Sequence, residues 1–98
     1  MSEKYHNKSQ AALAAVMSEL MSDGFPELSL AEVTERTGLT TDTSFRTLYN
    51  AQQFGWIEKL PGERYRLSQF WPKLGYRYFE RLVEERNALH QRIQEFRA

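Results

Sequence analysis

Eleven residues restrict the fold more than any others in the chain: Ser29-Leu-Ala-Glu-Val-Thr-Glu-Arg-Thr-Gly-Leu39. Ser29 followed by Glu32 has the spacing of a capping box, in which hydroxyl and carboxylate accept reciprocal backbone N–H bonds and start a helix at Leu30. Gly38 tolerates positive φ where that helix ends, and Leu39 supplies the apolar contact that a Schellman-type ending prefers. Thr40 is then an N-cap for a second helix, expected over Thr41–Phe54 and stopped at Gly55. Two helices joined by so short a glycine turn are the core of a helix-turn-helix.

The flanks extend the motif. Upstream, Leu13, Val16, Met17 and Leu20 recur at the spacing of one helical face, predicting a first helix over Ser9–Ser22 that ends before Gly24 and Pro26. The residues before it lack a pattern, so 1–8 is expected to be a flexible N-terminus. Leu28-Ser29-Leu30 is short enough to add a small strand. Downstream, Trp56–Leu60 and Glu63–Leu67 flank Pro61-Gly62, and Tyr65 and Leu67 alternate with Arg64 and Arg66 as in a half-buried hairpin. The expected fold is mainly α with a small β-hairpin: a winged helix-turn-helix domain over 9–69 and a long C-terminal helix over 70–98.

In the Thr41–Phe54 helix, Ser44, Leu48 and Ala51 fall on one side with Thr47 at its edge. Asp42, Arg46, Tyr49 and Gln53 cluster opposite, flanked by Phe45 and Asn50.

Charge complicates a nucleic-acid reading. The 98 residues carry 13 basic and 13 acidic side chains and no cysteine. Neutrality is unusual for a nucleic-acid binder, and the lack of thiols removes disulfide frameworks and thiolate zinc sites. By segment, the charge is slightly negative up to Asn50 and slightly positive in the ribbon and tail. No apolar run approaches a membrane span and the polar start has no signal-peptide core, so a cytoplasmic protein, nucleoid-associated if it binds DNA, is expected.

The stretches Gly38-Leu39-Thr-Thr-Asp-Thr-Ser-Phe-Arg46-Thr-Leu48, Gly55-Trp-Ile-Glu-Lys and Glu63-Arg-Tyr-Arg-Leu67 resemble the winged helix of IclR-type transcription regulators. Lys73-Leu-Gly-Tyr76 is similar to the start of that family's linker helix. The resemblance covers about Ala11 to Phe79 and implies a DNA-binding domain. It departs from the family at Asp42, where a small polar residue is usual, at Ser44 (an aliphatic) and at Thr47 (a leucine). The family's large effector-binding domain has no counterpart before Ala98, and no small-molecule effector is predicted.

On such a fold the Thr41–Phe54 helix would enter the major groove, and the Trp56–Leu67 hairpin would be the wing. The expected DNA-binding residues are Thr40, Thr41, Asp42, Thr43, Phe45, Arg46, Tyr49, Asn50, Arg64 and Arg66. Arg46 suits a guanine or a phosphate, while Asp42 suits either a cytosine amino group or helix stabilisation. Phe45 and Tyr49 suit thymine methyls or packing. Arg64 and Arg66 suit groove contacts or a solvated edge.

In the last helix Phe79, Leu82, Arg86, Leu89, Ile93 and Phe96 alternate by three and four residues, a heptad seam with Arg86 in one core slot. A helix of about 25 residues extends about 37 Å, more than a small three-helix core covers. A homodimer through this seam is expected, the alternative being that it folds back on Leu13, Val16 and Leu20.

His6 and His90 lack companions for a metal site, and no nucleophile, phosphate loop or isolated carboxylate pair appears, so no cofactor and no enzymatic activity are predicted. The residues thus point to a small DNA-binding transcription regulator, the alternative being a winged-helix module that docks a protein partner instead of DNA.

Overall fold

The computed structural model describes residues 5–98. These form α1 (Lys8–Leu20), β1 (Leu28–Ser29), α2 (Leu30–Thr37), α3 (Thr41–Gln53), β2 (Ile57–Leu60), β3 (Arg64–Leu67) and α4 (Phe70–Arg97). The architecture is the expected mainly α winged helix with a long C-terminal helix. Two units emerge, one reaching Ser68 and the other Gln69–Ala98.

Residues 1–4 of the expected N-terminal tail lie outside the described residues. The first helix begins one residue earlier than anticipated, at Lys8, because Asn7 Oδ1 accepts the Gln10 N–H at 3.0 Å and caps α1. The helix also ends earlier, at Leu20. The Ser22 N–H turns to the Glu19 carbonyl at 3.2 Å, an i−3 bond, and the Ser22 hydroxyl donates to the same oxygen at 2.6 Å. Serine thus competes with the helical ladder for its acceptor.

Val16, Met17 and Leu20 of α1 are buried, with Ala12 rather than Leu13 completing the stripe. They pack against α2 and α3, whose Val33 and Leu48 are fully enclosed. The capping box forms as predicted: Glu32 N–H donates to Ser29 Oγ and Ser29 N–H to Glu32 Oε1. Gly38 takes φ 73°, and its N–H donates to Thr34 O. This ending is an αL motif rather than the anticipated Schellman motif. The Leu39 N–H, which a Schellman turn would send to Thr34 O, instead donates to Thr37 Oγ1.

The three strands are antiparallel in the order β1-β3-β2. Leu28 lies opposite Tyr65, and both are buried, so the two-residue strand ties the entrance of α2 to the wing. The hairpin turns through Pro61-Gly62-Glu63, closed by Glu63 N–H to Leu60 O. Glu63, expected in the strand, adopts φ 57° in that turn. The Ser68 N–H donates to Trp56 O beyond the last ladder pair, and the Ser68 hydroxyl donates to Gly55 O. These bonds tie Ser68 to the start of the hairpin, and α4 begins at Phe70 with no side-chain cap on Gln69.

α4 is one continuous helix of 28 residues with none of them buried. No described helix is long and apolar enough to cross a membrane.

Candidate nucleic-acid interface

α3 carries most of the expected site, and its orientation follows from its buried face. Ser44, Thr47, Leu48 and Ala51 point into the core. A side chain every 100° then places Thr41, Asp42, Phe45, Arg46, Tyr49, Asn50 and Gln53 outward, and all are exposed. The aromatics settle the packing question: Phe45 is 51% and Tyr49 53% exposed. They do not fill the core.

The departures from the IclR pattern have physical readings. Thr47 satisfies its hydroxyl on its own helix, donating to Thr43 O at 2.7 Å. Ser44 does not: its hydroxyl is fully buried and finds no hydrogen-bond partner among the described residues. An aliphatic side chain would avoid that desolvation cost. Asp42 lies in the first turn of α3 and meets Arg46 Nε at 3.1 Å, one turn on.

At the N-terminus of α3, Thr40 Oγ1 accepts the Thr43 N–H at 3.1 Å and donates to Thr43 Oγ1 at 2.9 Å. Both threonines are thus engaged in holding the helix start, while Thr41 remains exposed beside them. Asn50 Nδ2 donates back to Arg46 O at 2.9 Å. Shallow grooves flank the helix. One lies against the start of α1, where Ser9 and Gln10 face Thr43 and Arg46, and the other is bounded by Ala31, Phe45, Lys59 and Glu63. Gln10 and Lys59 were not anticipated; their proximity to α3 is tertiary, and no local pattern announces it.

The wing arginines share a face, but that face is turned toward acids. Arg64 Nη2 donates to Glu27 O at 2.6 Å, and its Nη1 lies 3.4 Å from Glu32 Oε1, the oxygen that also closes the capping box. Arg66 Nε donates to Glu58 Oε1 across the hairpin, and its Nη1 is 3.7 Å from Glu27. The excess of positive charge assigned to the ribbon is therefore matched by Glu27 and Glu32, which precede it in the chain. Glu58 was legible as a partner, since hairpin register sets it opposite Arg66. Glu27 was not.

The same clamp acts on Glu32. The hydrogen bond from the Ser29 backbone N–H, then that with the Ser29 side chain, hold its carboxyl below the usual range; desolvation opposes them, and the charges of Arg64 and then Arg36 add lesser downward pulls.

No protein-family model and no curated protein matches the sequence. Solved structures do. An IclR transcriptional regulator from Alicyclobacillus acidocaldarius matches 76% of this chain with 28% identity and a TM-score of 0.67. An IclR homolog from Microbacterium hydrocarbonoxydans, solved with 4-hydroxybenzoate, matches 68% at 18% identity and TM-score 0.61. Another from a Microbacterium strain matches 72% at 17% and 0.62. This chain spans 30%, 28% and 29% of those three proteins, respectively.

Proposed function

We propose that this IclR-like winged helix binds double-stranded DNA for a transcription regulator, with α3 in the major groove, the hairpin as wing, and a second copy of the chain joined through α4. The observation that carries the reading is the outward face of α3. Its helix is anchored by Ser44, Leu48 and Ala51, and it presents Thr41, Phe45, Arg46 and Tyr49 together on a fold similar to a transcriptional regulator. No catalytic constellation enters this reading.

Thr40 and Thr43 set the start of α3, where backbone N–H groups can meet phosphate and Thr41 can add its hydroxyl. Arg46 engages DNA by exchanging Asp42 for a phosphate or a guanine edge. The pair is highly exposed, 74% and 69%, so the exchange costs little. Phe45 and Tyr49 supply apolar contacts to sugars or thymine methyls. Asn50 flanks this surface; with one amide N–H on Arg46 O it keeps its second N–H and Oδ1 for a base edge. Arg64 and Arg66 touch phosphate only by giving up Glu27, Glu32 and Glu58; otherwise they brace the wing.

The neutral surface makes each copy a weak binder, so two copies on a palindrome supply affinity through effective concentration. Such a protein works in the cytoplasm at the nucleoid.

The test is selection of bound sequences from random duplex DNA at physiological salt. An enriched palindrome supports the reading; absence of both enrichment and salt-dependent binding sinks it. Arg46→Ala should reduce the slope of log affinity against log salt by about 1, whereas Asp42→Asn should raise affinity on all sequences. An unchanged slope in Arg46→Ala removes that side chain from the interface.

One observation favours a second reading, a winged-helix module for a protein partner. Arg36, Arg46, Lys59, Arg64 and Arg66 each have an acid within 4 Å, and the α3 face is aromatic. Loss of all DNA binding in the selection leaves this reading standing.

A further inference from the structure

The apolar seam of α4 is exposed along its length: Leu82 and Ile93 are each 44%, and Leu89 56%, open to solvent. The helix is continuous, so Phe79, Arg86 and Ile93 occupy one set of heptad core positions, and Leu82, Leu89 and Phe96 the other. Pairing two copies in parallel sets each core residue against itself. Arg86 then meets Arg86 of the second copy inside the seam, and Arg92 flanks Arg97. Both are like-charge encounters.

Reversing one helix removes both. With the twofold axis between Asn87 and Ala88, Phe79 faces Phe96, Leu82 faces Ile93 and Arg86 faces Leu89. All six seam positions are matched with none left over. Beside the core, Glu85 comes opposite Arg92 of the other copy, and symmetry makes that contact twice. Val83 and His90 pair on the other flank. Arg86 has Asn87 Oδ1 at 3.3 Å in the single chain. Opposite Leu89 its long stem can lie along the seam with the guanidinium reaching water. Glu85 keeps its exposed pair with Arg81, 3.1 Å away on the same helix, and adds the second cation.

We infer that α4 is the docking surface for a second copy of this chain in antiparallel orientation, in the register that sets Leu82 against Ile93 and Glu85 against Arg92. The inference rests on the two-copy part of the function proposed above and is independent of whether α3 binds DNA. It has a geometric consequence. Each Gln69 lies about 28 Å along the helix from the axis, so the two Gln69 ends are about 56 Å apart, whereas a parallel pair brings them within about 10 Å.

Because the chain has no cysteine, placed thiols report cleanly. Leu82→Cys and Ile93→Cys versions of the 98-residue chain, carrying tags of different size, are mixed and oxidised. Both positions are exposed in the single chain, so the substitutions leave its packing intact. The expected product is the mixed disulfide, with little self-linked Leu82→Cys, and sedimentation of the unmodified protein at twice the 11.6 kDa chain mass. A spin label at Gln69→Cys should read the long separation.

Predominant self-linking of Leu82→Cys with a short Gln69 distance overturns the antiparallel register while leaving a dimer. A monomer at about tens of micromolar, without cross-links, overturns the dimer itself. DNA selection still reports on α3 in either case, so the two failures are separable.

Discussion

α1 and α4 carry the same kind of apolar repeat and meet different fates. In α1, Val16, Met17 and Leu20 are buried by α2 and α3, while in α4 residues of similar spacing and greater bulk stay exposed. The difference is one of neighbours. A helical stripe states which face needs cover, and burial follows only where the chain supplies something to cover it. In the winged unit that cover comes from two helices brought round by a tight turn at Gly38 and from a sheet tied in by Leu28 opposite Tyr65. For α4 the proposed cover is another chain, so its stability contribution depends on concentration.

Core truncation gives the largest contrast. Leu48→Ala, at a fully buried position, should cost about 2–5 kcal/mol in urea unfolding of the winged unit. Leu89→Ala should leave that transition within about 0.5 kcal/mol at dilutions where the chain is monomeric, and instead weaken self-association. Equal losses in the two variants would erase the distinction between the regions.

Ser44→Ala works in the opposite direction. Removing a buried hydroxyl with no partner should stabilise the winged unit by about 1 kcal/mol, read as a raised thermal midpoint. A destabilised variant would mean that the hydroxyl has found an acceptor in solution.

The wing arginines separate bracing from contact. Their pairs are partly exposed, so Arg64→Ala with Arg66→Ala should cost no more than about 1 kcal/mol for each residue. An unchanged salt slope of DNA binding with a lowered thermal midpoint identifies braces; a flattened slope identifies phosphate contacts.

The smallest effect is with pH. Glu32 has a lowered folded-state pKa, so its stabilising contribution is complete above the ordinary carboxylate range and is lost as pH falls through the lowered value. Glu32→Gln should therefore melt earlier at neutral pH and lose less stability on acidification. Thermal melts along a pH series check this, and parallel curves for the two proteins would remove Glu32 as a contributor.

Much of the winged unit was legible because its signals are local. Ser29 and Glu32 are one helical turn apart, Thr40 caps the residues directly after it, and Gly38 acts at its own φ. The inward set of α3 followed from period alone. Legibility failed where a polar group had more than one partner within reach. Leu39 N–H chose a threonine hydroxyl over a carbonyl, Ser22 ended α1 early, and Arg64 found Glu27 across a separation of 37 residues. In the candidate site, the inward and polar faces of α3 were readable, but the exposure of its aromatics and the neutralisation of the wing were not. Counting charge by segment treats chain proximity as spatial proximity, and β1 beside β3 breaks that equivalence.

What the amino-acid order determined by itself was the set of elements, their caps and the side of each helix that seeks cover. Backbone geometry and hydrogen bonding over a few residues are enough for that. Only the tertiary structure decided that Phe45 and Tyr49 stand in solvent, that Ser44 is buried without a partner and that the wing arginines answer to Glu27, Glu32 and Glu58. Those outcomes depend on which distant groups come within a few ångströms, where desolvation and Coulomb attraction act, and chain order does not encode that distance locally.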